Sequence, residues 1–117
     1  MSLISPAARD ALQRWLEGQK ALNDASDHTI AAYSRDVSGF LTFMTGHKGQ
    51  TQGLTPLSQI TVSDMRAWMA FTRSGKVGSR SLARKLSAVK SFYRWLAERE
   101  GFEPTAVLST RMPKFTA

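Results

Sequence analysis

The sequence predicts an all-α fold, a compact bundle of four principal helices followed by a short helical turn near the C-terminus. Apolar residues recur at intervals of three and four through most of the 117 residues, which is the period of an α-helix. No alternating run of the strand type exceeds a few residues. With 42% hydrophobic residues, the chain is long enough for one core and too short for two. We therefore expect one helical domain.

Two helices are predicted in the first half of the chain. Ser5 is placed to cap helix one, Pro6 takes its first position, and the helix is expected to end near Asn23. Ser26 is placed to cap helix two, which is expected to end at Gly46. Their predicted apolar faces comprise Ala8, Leu12, Trp15, Leu16 and Leu22 in helix one, and Ile30, Tyr33, Val37, Phe40, Leu41 and Met44 in helix two.

A loop and a third helix are predicted next. Residues 46–60 are rich in Gly, Gln, Thr and Pro, a composition that favours an exposed loop. Thr61 and Asp64 have the spacing of a capping box, which predicts a helix that runs to Gly75. Its apolar positions are Met65, Trp68, Met69 and Thr72.

The last long helix is predicted to begin at Ser79 and to end at Gly101. Its apolar face comprises Leu82, Leu86, Val89, Phe92, Tyr93 and Leu96. A short helical turn is expected at residues 104–108. Residues 109–117 show little periodicity and suit a tail or an interdomain linker.

Composition limits the classes of partner. Sixteen Lys and Arg against nine acidic residues give a formal net charge of +7, which favours a polyanion, with nucleic acid as the first candidate and an anionic membrane surface as the second. No apolar run has the length of a membrane span, and no secretory signal is recognisable. The chain has no cysteine, and its two histidines, His28 and His47, are far apart, so neither a disulfide nor a metal site is expected.

The positive charge is concentrated in residues 65–97, which hold eight of the sixteen cations and no Asp or Glu. On the last helix, the side opposite the apolar face carries Arg80, Arg84, Ser87 and Ser91, flanked by Lys90 and Arg94. Long cationic side chains beside short hydroxyls are typical of a helix that enters the major groove of DNA. A merely solvated cationic face is the ordinary alternative, and the lack of any Glu on this helix before Glu98 disfavours it.

No catalytic constellation is predicted. Tyr33 and Tyr93 lie on apolar faces, where tyrosine packs with its hydroxyl at the rim of the core. His28 falls in the first turn of helix two, and His47, just past its predicted end, is interpreted as an ordinary loop residue. Nucleotide-binding and hydrolase motifs are also missing from the sequence.

Two segments resemble a known family. The first, SDHTIAAYSRDVSGFLTFM, matches one family signature at Ser26, Thr29, Tyr33, Asp36, Val37 and Phe40. The second, SRSLARKLSAVKSFYRWL, matches another at Ser81, Leu82, Arg84, Leu86, Ser87, Ala88, Val89, Lys90, Phe92 and Tyr93. In order and spacing they resemble the N-terminal core-binding domain of tyrosine site-specific recombinases and phage integrases, which has a SAM-like fold, and most closely its XerC type.

The resemblance implies contacts with the major groove of double-stranded DNA. The family's contact positions carry His28, Thr29, Ala32 and Arg35 on helix two, and Arg80, Ser81, Arg84, Lys85 and Ser87 on the last helix. Arg80, Arg84 and Ser87 also belong to the cationic face. That face adds Lys90, Ser91 and Arg94 to the candidate site.

The resemblance also implies a larger enzyme. Residues 1–108 would form the core-binding domain, and residues 109–117 would begin a linker to a catalytic domain that this chain lacks. The whole recombinase would work in the cytoplasm, at the nucleoid, in a synaptic tetramer of its own copies and a XerD-like partner, and would resolve chromosome dimers at cell division. The resemblance implies no cofactor, no metal, no membrane partner and no small-molecule substrate.

Two alternatives stay open at this point. The first is a self-contained helical DNA-binding protein that ends at Ala117, which a reading frame continuing past Phe115 into an Arg-rich domain would exclude. The second is a protein-interaction module whose basic face meets an acidic partner. Failure to bind duplex DNA at low salt would favour the second.

Overall fold

The computed structural model describes residues 4–50 and 52–113, and within them every regular element is a helix. In chain order the helices are α1 (Pro6–Asn23), α2 (Asp27–Lys48), α3 (Leu54–Ser58), α4 (Val62–Ser74), α5 (Ser79–Glu100) and α6 (Thr105–Leu108). The predicted all-α bundle of four long helices with a short C-terminal turn is confirmed, and α3 is an addition to it. In this described part, no helix is both long and apolar enough to cross a membrane.

Three long helices begin at the N-caps that the sequence predicts. The hydroxyls of Ser5 and Ser26 each accept a hydrogen bond at 3.1 Å from the backbone N–H three residues further on. At the start of α4, the Thr61 hydroxyl accepts from the N–H of Asp64 at 3.1 Å, and the Asp64 carboxylate accepts from the N–H of Thr61 at 2.9 Å. These bonds satisfy N–H groups that the start of a helix otherwise leaves unpaired.

The segment after α2 differs from the predicted exposed loop. α2 continues past Gly46, and the left-handed residue that ends it is Gly49, with a φ of +77°. The short helix α3 then forms, because Leu57 is fully buried in the core and neighbouring Gln52 and Ile60 are buried as well. The Gly and Pro content of the segment predicts irregular backbone, but a few apolar residues suffice to hold it against the core.

Aromatic side chains from four helices form the centre of the core. Phe40 of α2 lies edge-on to Trp68 of α4, with ring centroids 5.2 Å apart, and edge-on to Tyr93 of α5 at 5.9 Å. Trp15 of α1 lies edge-on to Phe92 of α5 at 5.5 Å. Such edge-to-face pairs add to the stabilisation from burial, so this cluster fixes how the four long helices pack.

The last turn of α1 extends beyond the core. Leu22, predicted on the apolar face of this helix, is 84% exposed, so that part of the prediction is wrong. Its neighbours Ala21 and Asn23 are exposed too. Helical periodicity assigns a residue to a face, but it does not show where along the helix the neighbouring elements end.

The hydroxyl of Tyr93 lies inside the core rather than at its rim, contrary to the sequence-based expectation. It donates a hydrogen bond to the backbone carbonyl of Leu57 in α3, at 2.9 Å. Burial raises the pKa of Tyr93 above its ordinary value, and the negative charge of Asp64 adds to this rise. A tyrosine in this state is a packing residue and not a nucleophile.

Replacing Tyr93 by phenylalanine should lower the free energy of unfolding by about 1–2 kcal/mol, because the buried carbonyl of Leu57 loses this donor while the ring packing is kept. Urea denaturation followed by tryptophan fluorescence measures the change. An unaltered unfolding midpoint would show that the bond between α5 and α3 contributes nothing.

A second set of polar contacts joins the end of α2 to the start of α4. The buried carboxylate of Asp64 accepts from Nζ of Lys48 at 2.8 Å and lies 3.1 Å from Nε2 of His47. Burial alone would raise the pKa of Asp64, but hydrogen bonds from Lys48, Thr61 and His47 outweigh it and lower the pKa to about 2. The interpretation of His47 as an ordinary loop residue is wrong, because this residue lies in the last turn of α2 and faces a carboxylate of α4.

The depressed pKa of Asp64 predicts a loss of stability in acid. A carboxyl with a lower pKa in the folded than in the unfolded chain stabilises the fold above its ordinary pKa of 3.8, and this contribution disappears as the pH falls towards about 2. We expect a loss of about 1–2 kcal/mol in this window, after allowance for screening by solvent. Thermal melts from about pH 5 down to about pH 2 cover this titration. They should show a smaller acid destabilisation in Asp64→Asn than in the wild type. An equal pH dependence in both would contradict the assignment.

The chain also contacts the core after α6. Thr110 is buried, and its hydroxyl donates to the carbonyl of Ala106 at 2.7 Å. Met112 packs against the same core. Residues 114–117, the rest of the predicted linker, lie outside the described residues, and the domain boundary at residue 108 stays a prediction.

Candidate nucleic-acid interface

All twelve candidate DNA-contact residues lie in accessible positions on α2 and α5. Six are exposed, namely His28, Arg35, Arg80, Arg84, Ser87 and Arg94. The other six are partly exposed, namely Thr29, Ala32, Ser81, Lys85, Lys90 and Ser91. Each of the twelve is therefore available to a ligand in the free domain, and their contacts with DNA stay predictions.

A buried carboxylate joins the two candidate contact helices. The side chain of Asp36, on α2, is 1% exposed. Arg84, on α5, binds it through two hydrogen bonds, from Nε to Oδ2 at 3.1 Å and from Nη2 to Oδ1 at 3.0 Å. Lys85 donates from Nζ to the same Oδ1 at 3.0 Å. A carboxylate buried to this degree needs such partners, because an unpaired one would lose several kcal/mol of hydration.

The contact with Asp36 also keeps the side chain of Arg84 positively charged. Hydrogen bonding to Asp36 raises the pKa of Arg84, and the negative charge of the carboxylate adds to the rise, against a smaller opposing effect of burial. The guanidinium thus remains cationic at any physiological pH. Its side chain is still 47% exposed, so Arg84 is bound on one side and open to solvent on the other.

This contact aligns the candidate residues of the two helices. Arg80 and Ser87 lie one turn to either side of Arg84 on the same face of α5. On α2, Ala32 lies one turn before Asp36, and Arg35 directly precedes it. α2 and α5 also form the most extensive helix pair of the described fold. We infer that the two groups of candidate residues lie side by side, on one cationic surface.

The N-terminus of α5 differs from those of α1, α2 and α4. Gly78 occupies its N-cap position without a side-chain hydrogen bond, and the first turn of α5, like that of α1, carries no acidic residue. The dipole of a helix and its first N–H groups create positive potential at that end. Since Arg80 lies in the same turn, the potentials of the helix and of the guanidinium add.

The cations of residues 65–97 do not form a single patch. Arg66 and Arg73, on α4, line a cleft of about 380 Å³ together with Arg111 and Pro113. Among the described residues, α5 contributes none to the lining of this cleft. The charge that is continuous in sequence is therefore divided in space, because Arg66 and Arg73 lie at a cleft to which neither α2 nor α5 contributes a described residue.

Sequence reasoning missed the role of Asp36, which it treats only as a position in a family signature. A signal was available in the pattern of α2. Asp36 lies three residues after Tyr33 and four before Phe40, at the edge of the apolar face. A carboxylate in such a position is seldom buried without a partner, so a cationic neighbour from another helix could have been predicted.

The fold and the cationic surface define a small helical domain with the features of a nucleic-acid-binding module. Residues 12–100 match the family model described as phage integrase, N-terminal SAM-like domain. The match includes all of α2, α3, α4 and α5 and half or more of α1. The chain belongs to this family, and the resemblance based on the two signature segments is confirmed.

Proteins named tyrosine recombinase XerC are similar to nearly the whole chain. That of Rhodospirillum centenum is 38% identical over 96 residues, which are 82% of this chain and 28% of the relative. That of Brucella suis is 34% identical over 114 residues, 95% of this chain and 36% of the relative. That of Rhizobium meliloti is 37% identical over 118 residues, 97% of this chain and 37% of the relative. The chain thus spans about a third of the length of these relatives. No solved structure matches it.

Proposed function

We propose that the chain is the DNA-binding N-terminal domain of a XerC-like site-specific tyrosine recombinase. The observation that carries the proposal is the contact of Asp36 on α2 with Arg84 and Lys85 on α5, which brings the candidate residues of the two helices together. Membership in the integrase family supplies the class of partner, which is duplex DNA. The names of the relatives supply the class of reaction.

The N-terminal half of α5 enters the major groove in this proposal. Arg80 and Arg94 bind phosphates, while the short side chain of Ser87 lets the helix axis lie close to the base edges. On α2, His28 and Arg35 contact the DNA beside that groove. The N-terminus of α5 adds its dipole to the attraction for phosphate.

The chemistry of strand cleavage belongs, in this proposal, to a catalytic domain outside this chain. Neither Tyr33 nor Tyr93 is the nucleophile in this proposal, because Tyr93 is fully buried and Tyr33 packs against the core. The two domains would close around one half-site. With a XerD-like partner and further copies of itself in a synaptic tetramer, the whole protein would resolve chromosome dimers at cell division, in the cytoplasm and at the nucleoid.

Titration with duplex DNA tests the proposed function. The 117-residue chain is titrated with a duplex of roughly 30 bp that carries inverted half-sites, and with a scrambled duplex, at two salt concentrations. We expect weak binding that falls steeply with salt, because a single small domain neutralises few phosphates. An affinity that does not change with salt would contradict the electrostatic surface, and no binding at low salt would instead favour an acidic protein partner.

A further inference from the structure

The contact between Asp36 and Arg84 uses only one edge of the guanidinium. Nε and Nη2 of Arg84 donate to the two carboxylate oxygens. A guanidinium carries more N–H donors than these two bonds need, and a pair of the remaining ones lies along the edge formed by its two terminal nitrogens. The shape of the group turns this outer edge away from the carboxylate, and since the Arg84 side chain is 47% exposed we infer that the edge is open to solvent.

The outer edge has the geometry of a base-reading group. The O6 and N7 atoms of guanine form a pair of acceptors that one arginine binds with two hydrogen bonds. A phosphate can also accept two hydrogen bonds from one arginine. However, attraction to phosphate depends on the net positive charge of the binding group, and the carboxylate of Asp36 reduces the net charge at Arg84. The carboxylate instead fixes the orientation of the Arg84 guanidinium. A guanidinium held in one orientation discriminates better between bases than a freely rotating one.

We propose that Asp36 is a positioning residue that holds Arg84 so that the outer edge of its guanidinium reads a guanine in the major groove. The inference rests on the proposed DNA-binding function and deepens it, because it assigns sequence discrimination to a buried side chain that does not itself touch DNA. Lys85 binds the same carboxylate oxygen at 3.0 Å, so the cluster of one anion and two cations keeps a net positive charge towards the DNA.

Selection from random duplexes tests the inference. The 117-residue chain and its variants select sequences from a pool of randomised duplex DNA at low salt, and the enriched sequences give the base preference at each position. The wild type should enrich a motif with a G·C pair at one fixed position. Both Asp36→Asn, which is nearly isosteric, and Arg84→Lys, which keeps the charge but loses the planar fork, should reduce the preference at that position by about tenfold.

The total affinity for duplex DNA distinguishes a positioning role of Asp36 from damage to the fold. Asp36→Asn removes a negative charge, so its affinity for the unselected pool should equal or exceed that of the wild type. Asp10→Asn is the matched control, because Asp10 lies exposed on α1, where it pairs with Arg14 at 3.1 Å. This control makes the same change of charge without touching α2 or α5, and it should leave the selected motif unaltered.

Each outcome decides the inference. Thermal melts by circular dichroism establish folding, and Asp36→Glu, which keeps the carboxylate but displaces it by one methylene, carries the test if Asp36→Asn unfolds. Retention of the preference by either folded variant, or a loss spread evenly over all positions, would overturn the positioning role. Binding by the wild type without any base preference would overturn it too, while DNA binding itself would stand. No duplex binding by the wild type would instead defeat the proposed function, and the inference with it.

Discussion

Replacement of Phe40 by alanine should lower the free energy of unfolding by about 3–5 kcal/mol. The ring is fully buried and lies edge-on to Trp68 of α4 and Tyr93 of α5, so its removal leaves a cavity where three long helices meet. Chemical denaturation with far-ultraviolet circular dichroism measures the loss, and a low-temperature series keeps the variant measurable if it melts early.

Phe71 provides the matched control for this prediction. It is also a phenylalanine within a long helix, but it is 62% exposed and contacts Phe43 at the surface, with 5.0 Å between the ring centroids. Phe71→Ala should change the free energy of unfolding by less than about 1 kcal/mol. Equal losses in the two variants would mean that the core is not centred on Phe40.

The double substitution of Arg80 and Arg94 by glutamine should weaken duplex binding by about 3 kcal/mol at low salt, because two charge-assisted hydrogen bonds to phosphate are lost. The slope of log affinity against log salt should become shallower by about two. Base preference should be kept, since phosphate contacts carry no sequence information. Fluorescence anisotropy over a salt series measures both quantities.

Substitution of Arg9 and Arg14 by glutamine removes the same charge from α1. Both residues are exposed, and neither lies on α2 or α5. The variant should retain the salt slope of the wild type to within experimental error. If both double variants lose affinity equally, the domain attracts DNA through its net charge and not through the surface of α2 and α5.

Helix boundaries were predictable where local chemistry determines them. Ser5, Ser26 and the Thr61–Asp64 pair satisfy helix N-termini within one turn of chain, and Gly101 ends α5 with a φ of +71°. The local sequence therefore contains the information that places these ends. The exception is the end of α2. Either Gly46 or Gly49 could end this helix as judged from the sequence, and in the structure it ends at Gly49.

Contacts between distant segments were not predictable in the same way. Arg84 and Asp36 are separated by 48 positions, and the partners Leu57 and Tyr93 by 36. A helical wheel places each residue on a face, but it does not show which faces meet. For this reason the cationic face of α5 could be predicted from sequence, whereas its attachment to α2 and the burial of α3 required the structure.

If α2 and α5 form the DNA-binding surface, mapping by NMR should locate the bound DNA on these two helices. Backbone amide signals of the 117-residue chain are followed as duplex DNA with inverted half-sites is added at low salt. We expect the largest shifts on the N-terminal half of α2 and on α5 from Arg80 to Arg94, with little change at the cleft lined by Arg66 and Arg73. Shifts concentrated on α1 or at that cleft would contradict it.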